Sequence, residues 1–261
     1  MSDVLIEKRG QVLWLTINRP GQRNALTNDV LRAMTGALRD AKGDPDLRAV
    51  VITGAGDRAF CAGADLKSAA ATEGSAFEVA QGVVENALAT FFAEVERCTL
   101  PLVARVNGHA MGGGLGLVAA CDLAIAADDA LFATPEVKVG VYPLLITTYL
   151  MRLVPRRKLA AMALVGEPLD APRAVEYGLL NAAVPRAELD AKVDALVAAL
   201  AARSPTAIRL GKHALHAVED MTLGQCLDYM TLMLDRMTQT EDAREGFAAF
   251  AGKRAPAWTG R

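Results

Sequence analysis

What this 261-residue chain lacks already removes several classes of protein. Its four cysteines, Cys61, Cys98, Cys121 and Cys226, form neither a CxxC pair nor zinc-ligand spacing. A disulfide framework and a structural zinc site are therefore not expected, and the four are read as buried free thiols in a reducing cytoplasm. The formal net charge is −2, and basic residues are scattered rather than clustered, so nothing favours nucleic acid as a partner. No window reaches the apolar length of a membrane span, and the opening MSDVLIEKRG lacks the apolar run of a signal peptide. No Gly-x-Ser-x-Gly elbow is present, which disfavours a serine hydrolase. His213 and His216 share one helical pattern, but no carboxylate or cysteine joins them in metal-ligand spacing, and His109 simply adjoins a glycine turn. With 52% hydrophobic and 22% charged residues, the chain has enough apolar material for a sizeable core.

Short apolar runs at 4–7, 12–17, 49–53, 102–106 and 123–127 read as strands. Residues 24–42 carry helical periodicity with Val30, Ala33, Met34 and Ala37 on one side, and 77–98 reads as a long helix. This alternation gives an α/β core over residues 1–187. From 188 to 261 the sequence turns to alanine- and leucine-rich helical segments, which predicts a helical C-terminal region used in assembly.

The most informative stretch is 101–122, where a short strand and a turn lead into Gly112-Gly113-Gly114. Each glycine inside a helix costs about 1 kcal/mol relative to alanine, so three together belong at a helix start. There the first N–H groups have no partner in the helix, and the absence of side chains lets a ligand approach the backbone. The macrodipole adds positive charge at the same point. Such a site binds an anion or stabilises an oxygen that becomes anionic. A second small-residue loop, Ala62-Gly63-Ala64, follows the strand at 49–53. One N–H from each of two such loops is what an oxyanion hole requires.

Five motifs in one order resemble the crotonase, or enoyl-CoA hydratase/isomerase, superfamily over nearly the whole chain. They are Asn18-Arg-Pro with Arg23-Asn-Ala-Leu26, Ala59-Phe-Cys-Ala-Gly-Ala-Asp-Leu-Lys67, Asn107-Gly-His-Ala-Met-Gly-Gly-Gly114 with Cys121-Asp122, Thr134-Pro-Glu136, and Glu245-Gly-Phe-Ala-Ala-Phe-Ala-Gly-Lys-Arg254. The resemblance implies a crotonase-like spiral of repeated ββα units with a helical C-terminal oligomerisation part, assembled as a homotrimer or hexamer. It implies an acyl-CoA substrate, with coenzyme A as part of the substrate and no metal or nicotinamide cofactor. It assigns the thioester oxygen to the N–H groups of Ala62 and Gly113, worth about 3–4 kcal/mol per donor. It assigns coenzyme A contacts to Arg23, Ala64, Asp65, Leu66, Phe250 and Lys253, the last two often in a neighbouring subunit, and the proton transfer to Glu136. A carboxylate in an apolar pocket, its pKa raised by desolvation, suits that task.

The chain departs from the pattern at Gly116, where two-glutamate hydratases of the superfamily carry their second glutamate. No Asp or Glu lies in 108–121, and a carboxylate from 68–96, among Glu73, Glu78, Glu85, Glu94 and Glu96, is the remaining source of a replacement. A single glutamate over an oxyanion hole fits double-bond isomerisation better than hydration. Hydration with an unidentified second group and non-catalytic acyl-CoA binding are the alternatives. A dinucleotide fingerprint is formally satisfied by Gly114-x-Gly116-x-x-Ala119, but it lies mid-chain instead of in the first βαβ unit. The bulky 139–149 segment is expected to reshape the acyl pocket.

Overall fold

The computed structural model describes residues 2–65, 78–80 and 83–261. Strands β1 (Val4–Arg9) and β2 (Val12–Ile17) form an antiparallel hairpin. Helix α1 (Asn28–Ala41) begins where the Thr27 side chain accepts from Val30 N. The periodicity from 24 predicts an earlier start, but Arg23 and Asn24 take left-handed φ values of 53° and 56°. That conformation cannot be continued as a right-handed helix.

Beyond α1 the chain repeats one device. A strand joins a large sheet, the next joins a small one, and a helix returns the chain. β3 (Ala49–Gly54) and β4 (Ala59–Cys61) make the first such pair, β7 (Leu102–Val106) and β8 (His109–Met111) the second, and β9 (Leu123–Ala127) and β10 (Leu131–Ala133) the third. The large sheet runs β1-β2-β3-β7-β9-β12, with β12 at Ala182–Val184, and the small one β11-β10-β8-β4, with β11 at Leu169–Asp170. From β2 to β12 the neighbours of the large sheet are parallel, as are β4, β8 and β10. This is the α/β core that the alternation of strands and helices predicts, wound as the spiral of ββα units that the resemblance implies.

The long helix expected over 77–98 is instead a hairpin, β5 (Glu78–Ala80) with β6 (Val83–Glu85), followed by α2 (Ala87–Arg97). The reason is local. Asn86 accepts from Leu88 N and Ala89 N at 3.0 and 3.1 Å and so starts the helix there.

Two apolar layers bury the large sheet. One holds Leu15, Ile17, Ile52, Phe60, Leu102 and Phe132 under α1 and α2. The other packs Trp14, Val51, Val103 and Ile125 against Leu189, Val193 and Val197 of α7 (Leu189–Ala201). The short α6 (Ala171–Glu176) precedes α7, helices α8 (Pro205–Val218), α9 (Leu223–Thr238) and α10 (Glu241–Ala251) follow it, and no strand occurs in the described residues after β12.

Asp122 fastens α8 to the core. It accepts from Leu102 N at 2.7 Å and from Lys212 Nζ at 2.6 Å, and its other oxygen lies 3.8 Å from His216 Nε2. His216 Nδ1 is in turn 3.5 Å from Glu96. The nearby Asp122 carboxylate is the main force raising the His216 pKa, with Glu96 adding to it. Burial pushes the Asp122 carboxyl up, but the nearby His216 and the bonds from Lys212 and Leu102 more than offset this and hold it below its usual range. The signs set a stability window. A raised histidine stabilises fully below its unfolded pKa and loses this as pH rises through the folded value. A lowered aspartate stabilises fully above its unfolded pKa and loses this as pH falls through the folded value. The clasp is therefore strongest between about pH 4 and 6.5. The denaturant midpoint of the parent chain should decline above this window across pH 5–9, and that of His216→Gln should not. Parallel profiles for the two proteins would refute the assignment.

Candidate active site

Three parallel strands of the small sheet, β4, β8 and β10, end side by side. The carboxyl ends of parallel strands are where an α/β architecture leaves room for a ligand. Here those ends lead into Ala62-Gly63-Ala64, Gly112-Gly113 and Thr134-Pro135-Glu136, so the motifs converge although the sequence separates them.

The first loop is laced to the segment after Arg19. Ala62 N donates to Arg23 O at 3.0 Å, Leu26 N to Gly63 O at 2.8 Å, and Asp65 N to Leu26 O at 3.0 Å. Arg19 reaches Asp65 Oδ2 at 3.1 Å and Ala25 O at 2.7 Å. Asn24, 1% exposed, donates to Ala55 O and Ala59 O and accepts from Arg19 N. Its amide reaches a place kept open by Gly54, where a Cβ would fall 2.6 Å from Asn24 Nδ2 and 2.3 Å from Phe60 O. Asn24 is a supporting residue that the sequence reading did not single out. Its left-handed φ and its burial beside the loop are visible only in the fold.

This lacing corrects one expected donor. The Ala62 N–H is engaged by Arg23 and is not available to a ligand. Around the bridge between Leu26 and Ala64, Gly63 O and Asp65 N face Leu26, so the intervening Ala64 N–H points to the other side. It donates to no backbone group among the described residues. Gly63, at φ +87°, brings the loop onto the glycine-led helix α3 (Gly113–Ala119): a Cβ there would meet Met111 O at 2.8 Å and Gly113 N at 3.2 Å. A Cβ on Gly113 would fall 3.9 Å from Ala64 N. As the first residue of its helix, Gly113 has an N–H with no intrahelical partner. Among the described residues, two N–H donors without a backbone partner thus stand together, Ala64 and Gly113.

Glu136 meets them. It sits in the 3₁₀ turn Pro135–Val139, with Oε1 only 2.8 Å from where a Gly112 Cβ would be. Its Oε2 is buried with no hydrogen-bond partner among the described residues. Burial raises its pKa, and its own backbone N–H partly counters this. A carboxylate with a free oxygen in a half-buried place beside two unused N–H donors is arranged to take a proton from a molecule bound between them.

Gly116 lies one turn into α3 and is covered. A Cβ there would fall 2.4 Å from Ile146 Cγ2 and 3.1 Å from Phe92 Cζ. Ile146 comes from α4 (Leu144–Leu153) and Phe92 from α2. Hydrocarbon therefore occupies the space that a side chain at this position would need. Neither described candidate for a replacement carboxylate reaches it. Glu94 is buried in ion pairs with Arg39, at 2.9 Å, and Lys42. Burial pushes its carboxyl up, but these bonds hold it below its usual range. Glu96 faces His216. Glu73 and the side chains of Glu78 and Glu85 lie outside the described residues, as does Leu66.

The remaining expected contacts distribute as follows. The Asp65 side chain is a brace for the loop through Arg19 and not a free ligand group. Arg23 is exposed and lines a shallow hollow with Pro20, Asn24, Asp57 and Arg58. Phe250 lies in the last turn of α10 and Lys253 two residues beyond it; the principal neighbours of this helix are α8 and α9, and Phe250 is 88% exposed. Cys61 is buried with its pKa pushed up to about 12, and its sulfur accepts from Gly63 N at 3.4 Å. A thiol so protonated is a packing group of the loop and not a nucleophile. His109 Nδ1 accepts from Leu131 N, a structural role.

A family model described as enoyl-CoA hydratase/isomerase matches residues 7–261. The chain belongs to the enoyl-CoA hydratase/isomerase family. Among curated proteins, a probable enoyl-CoA hydratase of Mycobacterium bovis is 36% identical over 99% of this chain and 98% of its own. The (E)-benzylidenesuccinyl-CoA hydratase of Thauera aromatica is 34% identical over 98% and 99%. Among solved structures, an enoyl-CoA hydratase of Bacillus anthracis superposes with a TM-score of 0.91 at 30% identity over 100% of both chains. The family membership makes an acyl-CoA thioester the molecule to place between Glu136 and the two N–H donors.

Proposed function

We propose that this family member shifts the double bond of an enoyl-CoA between the 3- and 2-positions, with Glu136 as its single base. The observation that carries the reading is Gly116 covered by Ile146 and Phe92, opposite a Glu136 oxygen that has no partner among the described residues. Glu136 takes a proton from C2 of the 3-enoyl thioester. The electrons of that C–H bond spread over the dienolate and onto the thioester oxygen, which accepts from the Ala64 and Gly113 N–H groups. Each donor is worth about 3–4 kcal/mol by the standard of other oxyanion holes. The same carboxyl returns the proton to C4, so no water enters the product. A dry wall of Ile146 and Phe92 suits such a path.

Hydration is the second reading, and the names of the relatives favour it. It would need a group other than residue 116 to hold the water. Side-by-side turnover separates the two. A 2-enoyl-CoA is followed by loss of its conjugated absorbance, a 3-enoyl-CoA by gain, each with Glu136→Gln as control. Rapid gain with negligible loss is expected, and rapid loss would overturn the assignment in favour of hydration. Substrate binding with turnover of neither would leave an acyl-CoA-binding protein. The reading calls for no metal or nicotinamide. It includes assembly as a homotrimer or hexamer, supported by Leu223, Leu227, Leu232 and Leu234 on α9, each more than 60% exposed. In that assembly Phe250 and Lys253 would serve a neighbour's coenzyme A, and the enzyme would work in the cytoplasm.

A further inference from the structure

Thr134 stands immediately before the turn that carries Glu136, where a threonine ordinarily caps, yet its side chain makes no capping bond. Its hydroxyl donates instead to Met162 O, 2.9 Å away in α5 (Arg156–Val165). Both residues are buried, Thr134 completely. The same carbonyl accepts from Gly166 N at 2.9 Å, and Gly166 closes α5 at φ +68°. Gly166 also presses on the turn: a Cβ there would fall 3.1 Å from Val137 Cγ2 and 3.2 Å from Thr134 O. On the other side, Gly112 N donates to Ala133 O at 2.9 Å. The two residues before Pro135-Glu136 are thus fixed in opposite directions, Ala133 to the glycine helix and Thr134 to α5.

The Glu136 carboxylate has no comparable tertiary restraint: Oε2 lacks a partner among the described residues, and the one N–H that acts on the carboxyl is that of Glu136 itself. A base that its side-chain contacts do not hold must be aimed by its backbone. We propose that Thr134 is a positioning residue for Glu136, its bond to Met162 fixing the angle at which the turn presents the carboxylate to C2 of the thioester. This rests on Glu136 being the base.

Valine keeps the shape of threonine and removes the donor. Met162 O keeps the Gly166 N–H, so Thr134→Val leaves no carbonyl unpaired and should fold. The test compares the full-length parent with Thr134→Val, Thr134→Ser, Gly166→Ala and Glu136→Gln. Each is measured for kcat and KM on both enoyl-CoA isomers over a pH range, and for thermal midpoint. Thr134→Val should lose about ten- to a hundred-fold in kcat, the scale of a small misplacement of a reacting group. Its KM should stay within about two-fold, because the bound thioester keeps its own contacts. Its acid limb should move to lower pH as the loosened carboxylate gains water. Thr134→Ser, which retains the hydroxyl, should behave as the parent, and Gly166→Ala, which pushes the turn from the α5 side, should reproduce the kcat loss. Parent-like kcat and pH profile in Thr134→Val would overturn the proposal, as would equal loss in the Val and Ser variants. If Thr134→Val fails to fold, parent-like kcat in Gly166→Ala overturns it and a kcat-only loss supports it. Full activity in Glu136→Gln on both substrates would instead remove the base assignment itself.

Discussion

Glu136→Gln should lower kcat by about a hundred- to ten-thousand-fold, the range a general base contributes. Glutamine keeps the size and the polar tip of the side chain but cannot accept a proton from carbon. Among the described residues no neighbouring group is placed to take over. Glu94 is held by Arg39 and Lys42, Glu96 faces His216, and the Cys61 thiol stays protonated with its pKa at about 12. The loss should appear in kcat, with thioester affinity little changed, because Ala64 and Gly113 still hold the oxygen. The pH profile of the parent carries a second signature. A base works in its ionised form, so activity must fall as pH drops through the Glu136 pKa. Burial raises that value, and the acid limb should therefore lie above the ordinary range for a glutamate. An acid limb at the ordinary value, or a Gln variant within ten-fold of the parent, would show that another group moves the proton.

Much of this centre was legible in the sequence because its parts are short-range. A short strand and a turn lead into the glycine run, and three glycines together belong at a helix start rather than inside a helix. The strands at 102–106 and 123–127 were fixed by buried apolar runs and appear with those bounds. What escaped depends on partners distant in sequence. The direction of an N–H in the 62–64 loop is set by Arg23 and Leu26, so the position carried over by resemblance was Ala62 where the fold offers Ala64. The meaning of Gly116 likewise comes from Ile146 and Phe92, thirty and twenty-four positions away. The 77–98 error has another cause. Helical periodicity continues across Asn86, and the cap that begins α2 there competes with it through one side chain. Thr134 was in plain view beside Pro135, but its bond to Met162 is a tertiary fact.

Gly63→Ala should be nearly as damaging as loss of the base, and for a separable reason. Gly63 has φ +87°, a conformation that alanine adopts only with strain of about 1–3 kcal/mol. The added methyl would also sit 2.8 Å from Met111 O and 3.2 Å from Gly113 N, between the two strand ends that must stay together. Neither contact is with the flexible end of a side chain; both are backbone, so the loop itself has to move away from α3. That motion separates Ala64 N from Gly113 N and breaks the pair while leaving each donor chemically intact. A pair of N–H groups stabilises developing charge only while both point at one oxygen. The expected loss in kcat is therefore about a hundred- to a thousand-fold, as when one oxyanion donor is removed. Carbonyl stretching frequencies of a bound saturated acyl-CoA separate this from the loss of the base. In Glu136→Gln the thioester carbonyl should remain shifted to lower frequency, as in the parent. In Gly63→Ala it should return toward its value in water. A shifted carbonyl in Gly63→Ala together with parent-like turnover would mean that the two loops do not act as one anion-stabilising site, and the role assigned to Ala64 would fall with them.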